Sequence, residues 1–157
     1  KLPMSNSMDI TREDIFSGRC FDLKWLKSYG LKRSRKNSKL MTGPKTARFL
    51  NKLTPTNCTF KGANGSAWIK DILAVNGFDE RMPWGGLDRE FGIRLKNAGI
   101  QPKHVRYNAI VLHLDHKRGY KDPAQVKANK KLRVANERDK VVRTEYGISQ
   151  LPEYRDY

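Results

Sequence analysis

Apolar positions in this chain recur at helical spacing in several places and alternate at strand spacing in one. Residues 1–20 show no sustained period. From Phe21 to Tyr29 the pattern predicts a short helix, with Leu23 and Leu26 facing inward and Gly30 as its stop. Residues 32–39 are basic, and the interleaved Ser and Asn mark them as a loop. Thr42 to Thr59, punctuated by Pro44 and Pro55, reads as loop or weak helix. A small-residue turn, Phe60-Lys61-Gly62-Ala63-Asn64-Gly65-Ser66, then leads into a helix. Ser66 is its expected N-cap, Ile69, Ile72 and Leu73 its apolar stripe, and Gly77 its close.

Trp84-Gly85-Gly86 reads as a tight turn. The helix expected after it runs from Leu87 to Ala98, with Phe91, Leu95 and Ala98 on one face and Gly99 as a left-handed cap. Val105 to Leu112 alternates in the manner of a strand. Ile110 and Leu112 make its second side apolar too, which predicts a central strand delivering His113-Leu114-Asp115-His116 at its end. Asp122-Pro123 is a helix start, and a charged, solvated helix is expected from Pro123 to about Thr144. These elements predict an α/β fold, a mixed sheet flanked by helices. They divide into a connecting segment at 1–57 with the basic loop, a central part at 58–120, and a charged helix and tail at 121–157.

Charge changes the picture next. The 157 residues carry 32 Lys and Arg against 16 Asp and Glu, a net charge of +16, which suits a polyanionic partner: nucleic acid, anionic lipid or a phosphorylated substrate. Cys20 and Cys58 have no metal-type spacing, and a reduced, cytoplasmic setting follows from that. No apolar run is long enough to span a bilayer, so any membrane contact is expected to be peripheral, at the inner face. Lys32, Arg33, Arg35, Lys36 and Lys39 are the residues expected to meet an anionic surface.

Three constellations can carry chemistry. In Trp84-Gly85-Gly86-Leu87-Asp88-Arg89-Glu90, glycines allow close approach of a ligand, and Asp88 falls in the first turn of a helix, where the dipole favours its ionised form. A carboxylate so held suits a general base; the alternative is an Asp that only caps the helix. His113-x-x-His116 offers imidazoles to a divalent metal or is a pair of surface histidines. Gly62-Ala63-Asn64-Gly65-Ser66 before a helix has the small residues of an anion-binding loop but neither the Lys-Ser/Thr ending of a P-loop nor a dinucleotide glycine spacing.

In chain order these pieces read Lys61-Gly62-Ala63-Asn64-Gly65-Ser66, Val75-Asn76-Gly77-Phe78-Asp79-Glu80, Trp84-Gly85-Gly86-Leu87-Asp88, Asn97-Ala98-Gly99-Ile100 and His113-Leu114-Asp115-His116. That order resembles the acceptor-side, carboxy-terminal half of inverting glycosyltransferases of the GT-A class. It is similar to the family 2 type enzymes of bacterial polysaccharide and lipopolysaccharide synthesis, and to the carboxy-terminal domain of the beta-galactosyltransferases. The resemblance implies Asp88 as catalytic base and His116, or else His113, as ligand of a divalent metal, manganese or magnesium. It implies Gly62, Ala63 and Asn64 as floor of the donor-sugar pocket and Trp84, Gly85 and Gly86 as its border with the acceptor. Arg89 and Glu90 are further expected contacts, and Lys117 and Arg118 would meet the diphosphate.

The implied partners are a nucleotide-diphospho-sugar donor and a saccharide or glycolipid acceptor. Leu87 and Arg89 depart from the family pattern, which often carries acids at both places. The chain holds no Asp-x-Asp, so it is expected to lack the nucleotide-binding half. Two other readings stand beside this one. The chain is a non-catalytic fragment derived from a transferase, or it is a basic nucleic-acid-binding domain. The second explains the charge but not the Trp-Gly-Gly turn, and nucleic acid is the less expected partner.

Overall fold

The computed structural model describes Leu2, residues 9–114 and residues 122–151. The chain divides into two compact units. One comprises Lys1–Thr56 with His104–Arg118, the other Asn57–Lys103 with Gly119–Tyr157.

In the first unit, α1 (Arg12–Phe16) starts at a capping box. The Thr11 hydroxyl accepts from the Asp14 N–H, and the Asp14 carboxylate accepts from Thr11 in return. The Thr11 hydroxyl and then the Thr11 N–H, both donating to the Asp14 carboxylate, with Arg19 nearby, hold that carboxyl below its ordinary value. The helix α2 (Leu23–Ser28) is capped by Asp22 and buries Leu26, as the pattern predicted, while Phe21 belongs to the 3-10 turn before it. The basic run is more ordered than the expected loop: Arg35–Met41 forms 3-10 turns. The weak helix expected in 42–59 is a ten-residue helix, α3 (Pro44–Leu53), with proline in its first turn.

Among the described residues there is no strand and no sheet, and this overturns the expected α/β fold with its mixed sheet. Residues 105–112, expected as a central strand, run as an exposed loop that turns on itself, the N–H groups of Asn108 and Ala109 both donating to the Val105 carbonyl. Alternation supplies a pleat but no partner, and a strand needs a ladder. Side chains take that role here. The Asn51 amide accepts from the Tyr107 N–H and bonds the Asn108 side chain, and His104 pairs with the Thr56 carbonyl. The nearest approach to a ladder is an isolated parallel bridge between Leu2 and Leu114.

The second unit is built on α4 (Ile69–Ala74), α5 (Leu87–Asn97) and α6 (Pro123–Arg138). Ser66 does not cap α4. The cap position falls to Trp68, which makes no side-chain bond there. The helix α5 matches its expected span, and Gly99 takes the left-handed conformation. Val75, Phe91 and Leu95 form the core, with Phe60, Ala67, Ile72 and Ile100 against it. Phe60 meets Phe91 edge to face with centroids 4.9 Å apart. Its backbone lies so close to Gly92 that a Cβ there would sit 2.6 Å from Phe60 Cβ. The helix α6 stops at Arg138, short of Thr144, because Lys140 turns left-handed and the Val141 N–H returns to the Asn136 carbonyl. Nor is it wholly solvated: Asn129 and Asn136 are buried.

A buried ion pair organises this unit. Arg94 and Glu90, one turn apart on α5, are both fully buried and joined at 2.7 and 2.9 Å. Arg94 also donates to the Val75 and Gly77 carbonyls beyond α4, and Asn136 of α6 donates to Glu90 at 2.8 Å. Beside it, Asp79 is buried and receives Arg81 and the Thr144 hydroxyl. Burial alone would push the Asp79 carboxyl up, but these hydrogen bonds outweigh it and hold the carboxyl below its ordinary value.

Replacing Arg94 by Leu should cost about 3–5 kcal/mol in urea unfolding, because Glu90 is left charged and buried. Replacing both Glu90 and Arg94 by Leu should not restore stability, since the Val75 and Gly77 carbonyls lose their donor; recovery to the wild-type value would count against this account. For Asp79 the sign follows from its lowered value. Its contribution is complete above the unfolded carboxylate range, about pH 4, and fades as pH falls through the lower folded value. Acid titration of stability should therefore be shallower below about pH 4 in Asp79→Asn than in wild type, with Asp79→Asn less stable at neutral pH.

Candidate functional site

The site is a hollow of about 310 Å3 in the second unit, lined by Gly62, Ala63, Phe78, Trp84, Gly85, Gly86, Leu87 and Asp88. Three stretches of chain form it: the small-residue turn before α4, the segment after α4, and the entry to α5. The packing of Phe60 on Gly92 brings the first of these against α5. Phe78 is fixed from below by Phe91, their centroids 4.6 Å apart.

The entry to α5 depends on two glycines in the left-handed region, Gly85 at φ 97° and Gly86 at φ 92°. A β-carbon at Gly85 would also meet Val126 Cγ2 at 2.9 Å, so α6 closes on that turn from the other side. Asn129 of α6 donates from one amide to the Trp84 carbonyl at 2.8 Å and the Gly85 carbonyl at 3.1 Å. The amide itself is anchored by Gln125.

Asp88 sits in the first turn of α5, half-buried, and both its oxygens are engaged by backbone. One accepts from the Arg89 N–H at 2.8 Å and the other from the Gly62 N–H at 3.3 Å. The second bond reaches across the hollow, so the carboxylate is positioned by the small-residue turn as well as by its own helix. Each oxygen keeps a lone pair for a ligand.

Of the residues expected at a site, Gly62, Ala63, Trp84, Gly85, Gly86 and Asp88 come together here. Asn64 closes the turn, its N–H donating to the Lys61 carbonyl, and is exposed outside the lining. Arg89 is exposed. Glu90 is fully buried in the pair with Arg94, a structural place that gives no access to a ligand. His113 is exposed and belongs to the first unit. His116, Lys117 and Arg118 lie outside the described residues. Among the described residues no three His, Cys, Asp or Glu side chains gather as a metal shell, so the expected manganese or magnesium finds no ligand set there.

Sequence reasoning missed Asn129, Asn136 and Arg94. A signal was present for the first two: asparagine is a poor residue inside a helix, and two of them seven apart repeat on one face.

Asn129→Ala should lower stability by about 1–3 kcal/mol by removing the amide that donates to the Trp84 and Gly85 carbonyls. Both Gly85→Ala and Gly86→Ala should suffer left-handed strain of about 1–2 kcal/mol, and Gly85→Ala more, because of Val126; equal losses for the two in urea unfolding would contradict the packing described. No family model, curated protein or solved structure matches this chain.

Proposed function

We propose that the second unit carries the sugar pocket and catalytic base of an inverting glycosyltransferase that uses a nucleotide-diphospho-sugar donor and a saccharide or glycolipid acceptor. One observation carries this reading: the small-residue turn, the Trp-Gly-Gly turn and Asp88 line a single hollow, with Asp88 bonded to Gly62 across it. The volume, about 310 Å3, lies at the small end of ligand sites, which run to about 300–1,000 Å3.

The chemistry needs one carboxylate, where glycosidases use two. Asp88 accepts the proton of the acceptor hydroxyl as its oxygen attacks the anomeric carbon. A new C–O bond forms on the face opposite the diphosphate, and the old bond breaks with its electron pair leaving on the diphosphate. The configuration at that carbon inverts. Backbone donors on both Asp88 oxygens keep the carboxylate oriented between turnovers. Phe78 and Trp84 offer apolar surface to a sugar ring and keep water from the reacting carbon.

No helix among the described residues is long and apolar enough to cross a membrane. A cytoplasmic site of action belongs to this reading, as do the free thiols Cys20 and Cys58.

The test is release of nucleoside diphosphate from a panel of nucleotide-sugars with saccharide acceptors. Transfer should occur with inversion, and Asp88→Asn should lower turnover about 10²–10⁴-fold with unchanged thermal unfolding. Near-normal turnover in Asp88→Asn removes Asp88 from the role, and no turnover by wild type with any donor sinks the reading.

A further inference from the structure

We propose that the exposed face of α3, with the 3-10 segment before it, docks on an anionic lipid bilayer. This rests on the first unit alone and stands independently of the transferase reading.

The helix turns Ala47 inward, with Leu50 and Asn51 half-buried beside it. Its outward side is not the polar face of an ordinary surface helix. Lys45, Arg48 and Lys52 form one exposed stripe at helical spacing. Phe49 and Leu53 form the adjacent stripe, 61% and 60% exposed. Met41, at the end of the preceding 3-10 segment, is 74% exposed. An exposed Phe and Leu one turn apart, directly beside a cationic row, are the pattern of a helix that lies in a lipid interface.

Charge complementarity names the surface. Between Asp22 and Asp71 the chain has no Asp or Glu, while Lys and Arg recur throughout. A single-sign stretch of that length meets no repulsion from a phosphate-rich plane and has no acid to pair with locally. Nucleic acid would satisfy the cations equally well, but it would take up Met41 and Leu53 only by unstacking its base steps, at a cost in stacking energy. A bilayer serves both stripes: headgroup phosphates for Lys45, Arg48 and Lys52, and the acyl boundary for Phe49 and Leu53. The lysine and arginine stems can lie along that boundary with their charges in the headgroups.

The test is co-sedimentation of the full chain with vesicles of phosphatidylcholine alone and of phosphatidylcholine with phosphatidylglycerol. Binding to the anionic vesicles should be at least about tenfold tighter and should weaken as salt rises. The triple change Lys45→Gln, Arg48→Gln and Lys52→Gln, and separately the pair Phe49→Ser and Leu53→Ser, should each reduce that binding by about tenfold. All five positions are exposed, so thermal unfolding of the variants should match wild type and exclude misfolding as the cause. Three results overturn the proposal. One is equal binding to neutral and anionic vesicles, or none to either. Another is wild-type binding by the Phe49→Ser and Leu53→Ser variant, which would make the attraction purely electrostatic. The last is double-stranded nucleic acid displacing the vesicles and losing affinity in that same apolar variant, which would assign the face to nucleic acid.

Discussion

A single guanidinium ties the second unit together. Arg94 has no exposure, and it satisfies itself with the Glu90 carboxylate and two backbone carbonyls, Val75 and Gly77, where the chain leaves α4. Glu90 in turn takes the Asn136 amide from α6. Three helices therefore converge on one charge pair. Such a pair by itself adds little net stability, but this one also supplies the donors for two backbone carbonyls, and it punishes any arrangement that leaves one member unpaired. With a core cluster as small as Val75, Phe91 and Leu95, that penalty is what makes one packing of α4, α5 and α6 better than its neighbours.

The site inherits its rigidity from the same arrangement. Asp88 lies in the first turn of α5 on a different face from the ion pair, and the turn before the helix is gripped from α6 by Asn129. On the far side of the unit, Asn76 bonds the Thr144 carbonyl and both donor and acceptor groups of Ser149, and Thr144 reaches Asp79. The segment from Val75 to Asp88 is thus held at both ends and in its middle by side-chain amides, hydroxyls and charges rather than by a backbone ladder. A loop fixed in this way can present Gly85, Gly86 and Asp88 at constant geometry, which the proposed role of Asp88 as a base would require. The first unit shows the opposite economy. Its described core is Leu2, Cys20, Leu26 and Ala47, and much of its apolar surface faces outward.

Local chemistry was legible at several places where one residue decides, though not at Ser66. Asp122 caps its helix, Pro123 opens α6, Gly99 closes α5, and the stripe of Phe91 and Leu95 sets the buried face of α5. Each of these follows from dihedral preference, a side-chain hydrogen bond or helical period, all of which act within a few residues. The Trp-Gly-Gly turn and the place of Asp88 at a helix start belong to the same class.

Tertiary structure decided the rest. Residues 105–112 alternate as a strand does, yet alternation says nothing about whether a partner exists, and the backbone donors there went to Asn51 and to Val105. Glu90 stands two residues from Asp88, and nothing local separates a ligand-facing carboxylate from a buried one; the arrival of Arg94 and Asn136 does. The long polar helix reads as solvated until Asn129 and Asn136 find carbonyl and carboxylate partners 44 to 46 positions away. The sequence by itself determined which residues could turn, cap and bury. Which polar groups became structural and which stayed open to a ligand depended on long-range hydrogen bonds, because a donor's role is set by the partner that packing brings to it.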